Sequence, residues 1–172
     1  HLSLQGENGE SVFYNPDNEH TMSDTMRWFI GGQQKLMPEL LSMIACTVNS
    51  YSRLIPGFWA PTHATWGVEN RTCALRAITG SAKSQHVEYR IAAADINPYI
   101  GMAAVVGSGL WGIENKIEPT APVKGNAYAQ EFPEDLNLPA TLFEAAGRLR
   151  TSEAARDLFG DAFVEHYAQS RE

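Results

Sequence analysis

The sequence predicts an α+β fold in a single domain, and three observations carry that prediction. Residues 85–91 alternate β-branched and aromatic residues with polar ones, the pattern of a strand, and residues 64–69 and 72–78 read as two further strands. The first and last thirds instead carry apolar residues at helical spacing. The chain has 172 residues, 44% of them hydrophobic and 19% charged, enough for one well-filled core.

In order, His1-Leu2-Ser3-Leu4 alternates and reads as a short strand. It runs into a turn-rich loop with Gly6, Gly9 and Asn15-Pro16-Asp17-Asn18. Ser23-Asp24 caps a helix with Met26, Phe29, Ile30 and Leu36 on one stripe, and Pro38 is expected to end or kink it before Leu40, Leu41 and Ile44 continue. Asn49 to Pro61 is a loop with two prolines and a glycine. Arg53 stands at its entry and Phe58-Trp59 near its tip, which suits either a loop tucked onto the core or a lid over a ligand. Residues 64–69 and 72–78 read as two strands joined by a tight turn at Asn70-Arg71; a spacing of five would put Arg71 and Arg76 on opposite faces of one regular strand, so either Arg71 sits in the turn or a bulge intervenes. Asn97-Pro98 starts a helix over 98–113 that is apolar almost all round and is therefore expected to be buried. Gly101, Gly107 and Gly109 would let it pack closely. Residues 117–138 form an irregular excursion, and helices follow near 140–149, 152–158 and 160–170.

Composition excludes some roles. The net charge of −7 argues against a general nucleic-acid binder. No apolar run is long enough to cross a membrane. Cys46 and Cys73 sit in apolar surroundings without metal-ligand spacing, as buried thiols of a reducing cytoplasm would. The chain begins with His rather than Met, inside a strand-like stretch, and is expected to be part of a longer protein.

The chemistry centres on Gln85–Ile91. Period-two geometry puts His86, Glu88 and Arg90 on one face and Val87, Tyr89 and Ile91 on the other. Two readings compete. The polar face could be wet, with Glu88 pairing with Arg90 or a neighbour. It could instead line a site where Glu88 holds a hard metal ion and Arg90 an anion. Arg53, Arg71, Arg76 and Lys83 lie nearby in sequence, so an acidic chain gathers five of its thirteen cationic side chains between 53 and 90. Arginine forks grip carboxylates and phosphates, and Mg²⁺ takes one or two carboxylates and completes its shell with phosphates.

Several longer motifs then resemble one family. Asn49-Ser50-Tyr51-Ser52-Arg53-Leu54-Ile55-Pro56-Gly57 is similar to the NSYKRLVPG signature of glutamine synthetases. Asn70-Arg71-Thr72 through Arg76 resembles their NRSxxIR. His86–Arg90 resembles their R-x-E-x-R strand, Asp95–Tyr99 their AANPY helix start, and His1–Leu4 the tail of their G-x-H-x-H-x-S-L strand. The motifs keep the family's order across nearly the whole chain. The resemblance implies a curved antiparallel sheet (1–4, 64–69, 72–78, 86–92) with helices packed behind it. Residues 1–172 would be the C-terminal portion of the catalytic domain. It implies a cytoplasmic ligase using ATP and Mg²⁺ or Mn²⁺ to activate glutamate as an acyl phosphate and join it to ammonia or an organic amine, in a homo-oligomeric ring.

Residue by residue, the resemblance implies that Glu88 holds the metal and that Arg53 and Arg90 hold glutamate. Arg71 reaches glutamate, ATP and the transferring phosphoryl group as the catalytic arginine. His1, Ser3, Arg76 and Lys83 line the nucleotide site. Three departures stand out. Trp59 occupies the position of the flap glutamate, and an indole cannot accept a proton from ammonium, which favours a larger amine. His86 replaces the nucleotide-side arginine of R-x-E-x-R. Tyr128 aligns with a tyrosine that some bacterial members adenylylate, but Ala127, Ala129 and Gln130 do not resemble that target loop. The other metal-binding glutamates would lie before His1, so residues 1–172 alone are expected to bind poorly and to be inactive. The competing reading is a non-catalytic structural or regulatory protein on the same scaffold.

Overall fold

The computed structural model describes residues 1–172 except Gly57 and Trp59. Its described elements, in order, are α1 (Asp24–Ile44), β1 (Trp66–Val68), β2 (Leu75–Ile78), β3 (His86–Tyr89), α2 (Pro98–Glu114), α3 (Leu142–Thr151), α4 (Glu153–Phe159) and α5 (Asp161–Gln169). Short single-turn helices punctuate the loops. The α+β class stands: one small open sheet lies against a helical layer built on α1 and α2.

Helix α1 begins where Ser23 Oγ accepts the Met26 N–H at 3.1 Å, and it does not stop at Pro38. A mid-helix proline costs about 3 kcal/mol. Leu36, Met37, Leu40, Leu41 and Ile44 are all buried on this helix, and each large apolar side chain so placed contributes about 1.5–3 kcal/mol. Packing therefore outweighs the breaker, and the expected pair of helices is one.

Helix α2 crosses α1 at a seam of glycines. A Cβ on Gly32 would lie 2.2 Å from Ser108 O, and one on Gly112 would lie 2.2 Å from the Trp28 carbonyl, so the two backbones meet where no side chain fits. Gly109 faces Phe29 in the same seam. The expectation that α2 is buried all round fails. Tyr99, Met102 and Leu110 are exposed, because the described chain covers one side of the helix only.

The sheet has the order β1-β2-β3. β2 and β3 are antiparallel, with Arg76 opposite Glu88 and Ala77 opposite Val87. β1 and β2 are parallel, with Gly67 opposite Arg76, which corrects the all-antiparallel expectation. The connection 69–74 is not a hairpin turn. The strands have only three and four residues, about 10 Å, and six residues reach up to about 20 Å, enough to carry the chain back and start again in the same direction. Glu69 takes the left-handed conformation there (φ 50°), and Asn70 Oδ1 accepts from Thr72 N–H at 3.0 Å. The expected strand at 1–4 is reduced to a single bridge between Leu2 and Val87.

Buried amides tie the irregular excursion to the core. Gln34 Nε2 donates to Ala64 O (2.7 Å), its Oε1 accepts from Thr120 N–H (2.9 Å), and Trp66 Nε1 donates to Thr120 O (2.7 Å). Cys46 and Cys73 are buried free thiols, as expected.

Candidate functional site

The antiparallel register of β2 and β3 places Arg76 and Glu88 side by side on one face. Arg76 Nη1 donates to Glu88 Oε2 at 3.3 Å, and Arg90 Nε lies 3.8 Å from the same oxygen. Arg90 also donates from Nη1 to Cys73 O at 3.1 Å. The Arg76, Arg90 and Glu88 side chains are 17, 20 and 24% exposed. They are screened enough to couple and open enough to meet a ligand. The ion-paired reading of this strand face is realised, with Glu88 meeting two arginines rather than one.

Glu69 is a member of the cluster that sequence reading missed. Its Oε2 accepts from Arg76 Nη2 at 2.5 Å, and its Oε1 accepts from Thr79 N–H at 3.3 Å. The hydrogen bond to Glu69 is the main reason that the Arg76 guanidinium is held even more firmly protonated than usual, with Glu88 adding to it. No periodicity could reveal Glu69, because it reaches Arg76 through the parallel pairing of β1 with β2.

On the other side of Glu88 stand two imidazoles. His86 Nδ1 lies 2.5 Å from Ser84 O, so its N–H points there, and its Nε2 accepts from His1 Nδ1 at 2.9 Å. His1 Nε2 lies 3.9 Å from Glu88 Oε1. The remaining predicted residues are spread around this centre. Ser3 and Lys83 line one hollow of about 400 Å³ with Gln5 and Tyr14. Arg71 stands exposed at the apex of the 69–74 connection, beside a hollow of about 480 Å³ that also meets Lys124 and Glu69. Among the described residues, neither Arg71 nor Lys83 has a carboxylate partner.

Arg53 commits one guanidinium nitrogen to backbone: Nη2 donates to Ile91 O at 2.7 Å and to Ala92 O at 3.3 Å. The start of its loop is pinned to the same region, since Thr47 and Ser50 hydroxyls donate to Asp95 at 2.7 and 3.2 Å. The Thr47 hydrogen bond is the main cause that draws the Asp95 carboxyl below its usual range. Trp59, the predicted amine-side residue, lies outside the described residues.

The donor set tests the implied metal. Glu88 Oε1 is the carboxylate oxygen left free of arginine, and no group of three or more His, Cys, Asp or Glu converges anywhere among the described residues. A hard divalent ion takes oxygen ligands and accepts phosphates and water for most of its shell. These residues therefore fit one edge of such a site, through Glu88, and no more.

Comparison with known proteins adds identity to this geometry. The family described as glutamine synthetase, catalytic domain, matches residues 1–172. A glutamate–isopropylamine ligase from a Pseudomonas species is 43% identical over 171 residues, covering 99% of this chain and 37% of that protein. A gamma-glutamylethanolamide synthetase from Streptomyces coelicolor is 41% identical over 97% of this chain and 35% of its own length. A glutamine synthetase from Thermotoga maritima is 37% identical over 100% of this chain and 40% of its own length. The chain thus spans well under half of the length of the curated relatives it matches.

Proposed function

The chain belongs to the glutamine synthetase catalytic-domain family, and on that premise we propose that it is the C-terminal portion of the catalytic domain of an ATP-dependent carboxylate–amine ligase. The single observation that carries this reading is the Glu88 carboxylate gripped by Arg76 and Arg90 on registered strands, with unmatched cations around it. Glutamate's side-chain carboxylate attacks the terminal phosphoryl group of ATP, ADP leaves, and an acyl phosphate forms. An amine then attacks the acyl carbon, gives up a proton, and expels phosphate. Such transfer depends on positioning and charge neutralisation more than on covalent participation of the protein.

In this reading Arg71, at the exposed apex, neutralises charge on the moving phosphoryl group, and Arg90 and Arg53 fix glutamate. Arg76, Lys83, Ser3 and His1 face the nucleotide. ATP supplies the phosphoryl group, and Mg²⁺ or Mn²⁺ held at Glu88 would neutralise its oxygens. The acceptor is an organic amine rather than ammonia. Trp59 in place of a proton-accepting glutamate supports that, as do relatives named for isopropylamine and ethanolamide. A cytoplasmic ring of identical subunits completes the proposal; the helices described here are not long and apolar enough to cross a membrane.

The test is phosphate release by the full-length gene product with ATP, Mg²⁺ and glutamate, offered ethanolamine, isopropylamine, putrescine or ammonium in turn. Saturation by an organic amine with little response to ammonium is the expected result. Preference for ammonium makes the protein a plain glutamine synthetase. Silence with every amine moves it to a non-catalytic role on the same scaffold.

A further inference from the structure

A cavity of about 160 Å³ lies between the loop that follows Arg53, the turn that follows Arg71, and residues 127–132. None of the roles above uses it. Pro56, Ala60 and Phe132 give it apolar walls, and His63, Thr72 and Gln130 give it polar ones. Most of the polar capacity is already spent. Thr72 Oγ1 donates to Asn70 Oδ1 and accepts from Ala127 N–H. Gln130 Nε2 donates to the Lys124 and Asn126 carbonyls.

Two groups remain, His63 Nε2 and the acceptor Gln130 Oε1, neither with a hydrogen-bond partner among the described residues; with Thr62 Oγ1 donating to Nδ1, Nε2 carries the proton, and a hydroxyl accepts from it while donating to Gln130 Oε1. The His63 ring is held in place by Thr62 Oγ1 at Nδ1 (3.1 Å) and by Phe132, whose ring centroid is 5.3 Å away. Burial lowers the His63 pKa, which favours the neutral ring, whose Nε2 donates or accepts according to the tautomer. Among the described lining residues there is no carboxylate and no lysine or arginine, and Tyr128 is the other titratable group. A charged tail placed here would lack a counter-ion, which is costly. An apolar cavity of roughly 150 Å³ takes a benzene, so this one holds roughly six heavy atoms.

We propose that this cavity receives the tail of the acceptor amine and selects a short, uncharged tail that ends in a hydroxyl, recognised by His63 Nε2 and Gln130 Oε1. The inference rests on the ligase reading and names its substrate class, an amino alcohol. Thr72, the residue after Arg71, forms one wall of the cavity.

The test compares three amines of equal size, aminopropanol, butylamine and diaminopropane, on the full-length gene product. The expected order of kcat/KM is aminopropanol, then butylamine, then diaminopropane. His63→Leu lowers the aminopropanol-to-butylamine ratio about tenfold, the cost of one lost recognition hydrogen bond. Gln130→Leu, on the exposed side of the cavity, lowers it in the same direction should His63→Leu fail to fold. A second readout needs no turnover: without ATP, the His63 imidazole resonance, assigned by its loss in the variant, shifts with aminopropanol and not with ammonium chloride. Best use of diaminopropane, an unchanged ratio in both variants, or an unmoved resonance overturns the proposal. A shifted resonance without phosphate release from any amine removes the ligase reading and leaves the site's ligand class standing.

Discussion

Two ionic clusters, one on the sheet and one among the C-terminal helices, use the same residue types to opposite ends. In the helices, Arg150 and Arg156 meet Glu165, with Glu172 and Asp161 as second partners, so three carboxylates surround two arginines. On the sheet, Arg76 and Arg90 share Glu88, Glu69 completes Arg76, and Arg71 and Lys83 stand without a carboxylate among the described residues. The first cluster leaves neither arginine without a carboxylate and fastens α3 to α4 and α5. The second pairs Arg76 and Arg90 with Glu88 and Glu69 and leaves two exposed cations, Arg71 and Lys83, for an anion from outside to balance. Charge balance, rather than the number of ion pairs, separates a structural network from a binding one.

Four experiments break or sharpen that contrast, and the largest effect is expected at Glu88. Glu88→Gln keeps the shape and removes the charge. Phosphate release by the full-length protein should fall by at least about a thousandfold while the melting temperature moves by only about 1–2 °C. Arg71→Ala, which breaks no ion pair among the described residues, should lower kcat/KM for glutamate about a hundredfold with the melting temperature unmoved, as seen by parallel kinetics and calorimetry. In the helical cluster the order reverses. Glu165→Gln should leave turnover intact and cost about 0.5 kcal/mol or less in urea unfolding, because its side chain is 55% exposed.

The smallest effect concerns pH. Burial holds the folded His63 pKa below its ordinary value near 6.5. As pH falls below about 6.5 the unfolded chain binds a proton before the folded one does, so the stability this neutral ring contributes is present above that pH and is lost below it. His63→Gln should therefore flatten the dependence of melting temperature on pH between about pH 7 and pH 5. An unchanged slope would place the ring in water and remove it from the cavity wall.

Much of the site was legible because its residues cluster in sequence. Glu88 and Arg90 share a strand face by period two, and Arg76 precedes them on the next strand. Their meeting needed only an antiparallel pairing, which β2 and β3 provide. Glu69 and His63 were not legible. Glu69 reaches Arg76 through a parallel pairing that a six-residue connection makes feasible only because the strands are so short. His63 acquires meaning from Phe132, nearly seventy residues away.

The same division runs through the fold. Local chemistry determined the caps at Ser23 and Asn97, the breaks between α3, α4 and α5, and the family motifs, since each depends on neighbours within a few residues. Tertiary structure decided the continuity of α1 through Pro38, the glycine seam between α1 and α2, and which side of α2 is covered. It also decided that Arg53 Nη2 is anchored on the Ile91 and Ala92 carbonyls. These outcomes are sums over contacts distant in sequence, and a few kilocalories of packing are enough to override a local preference.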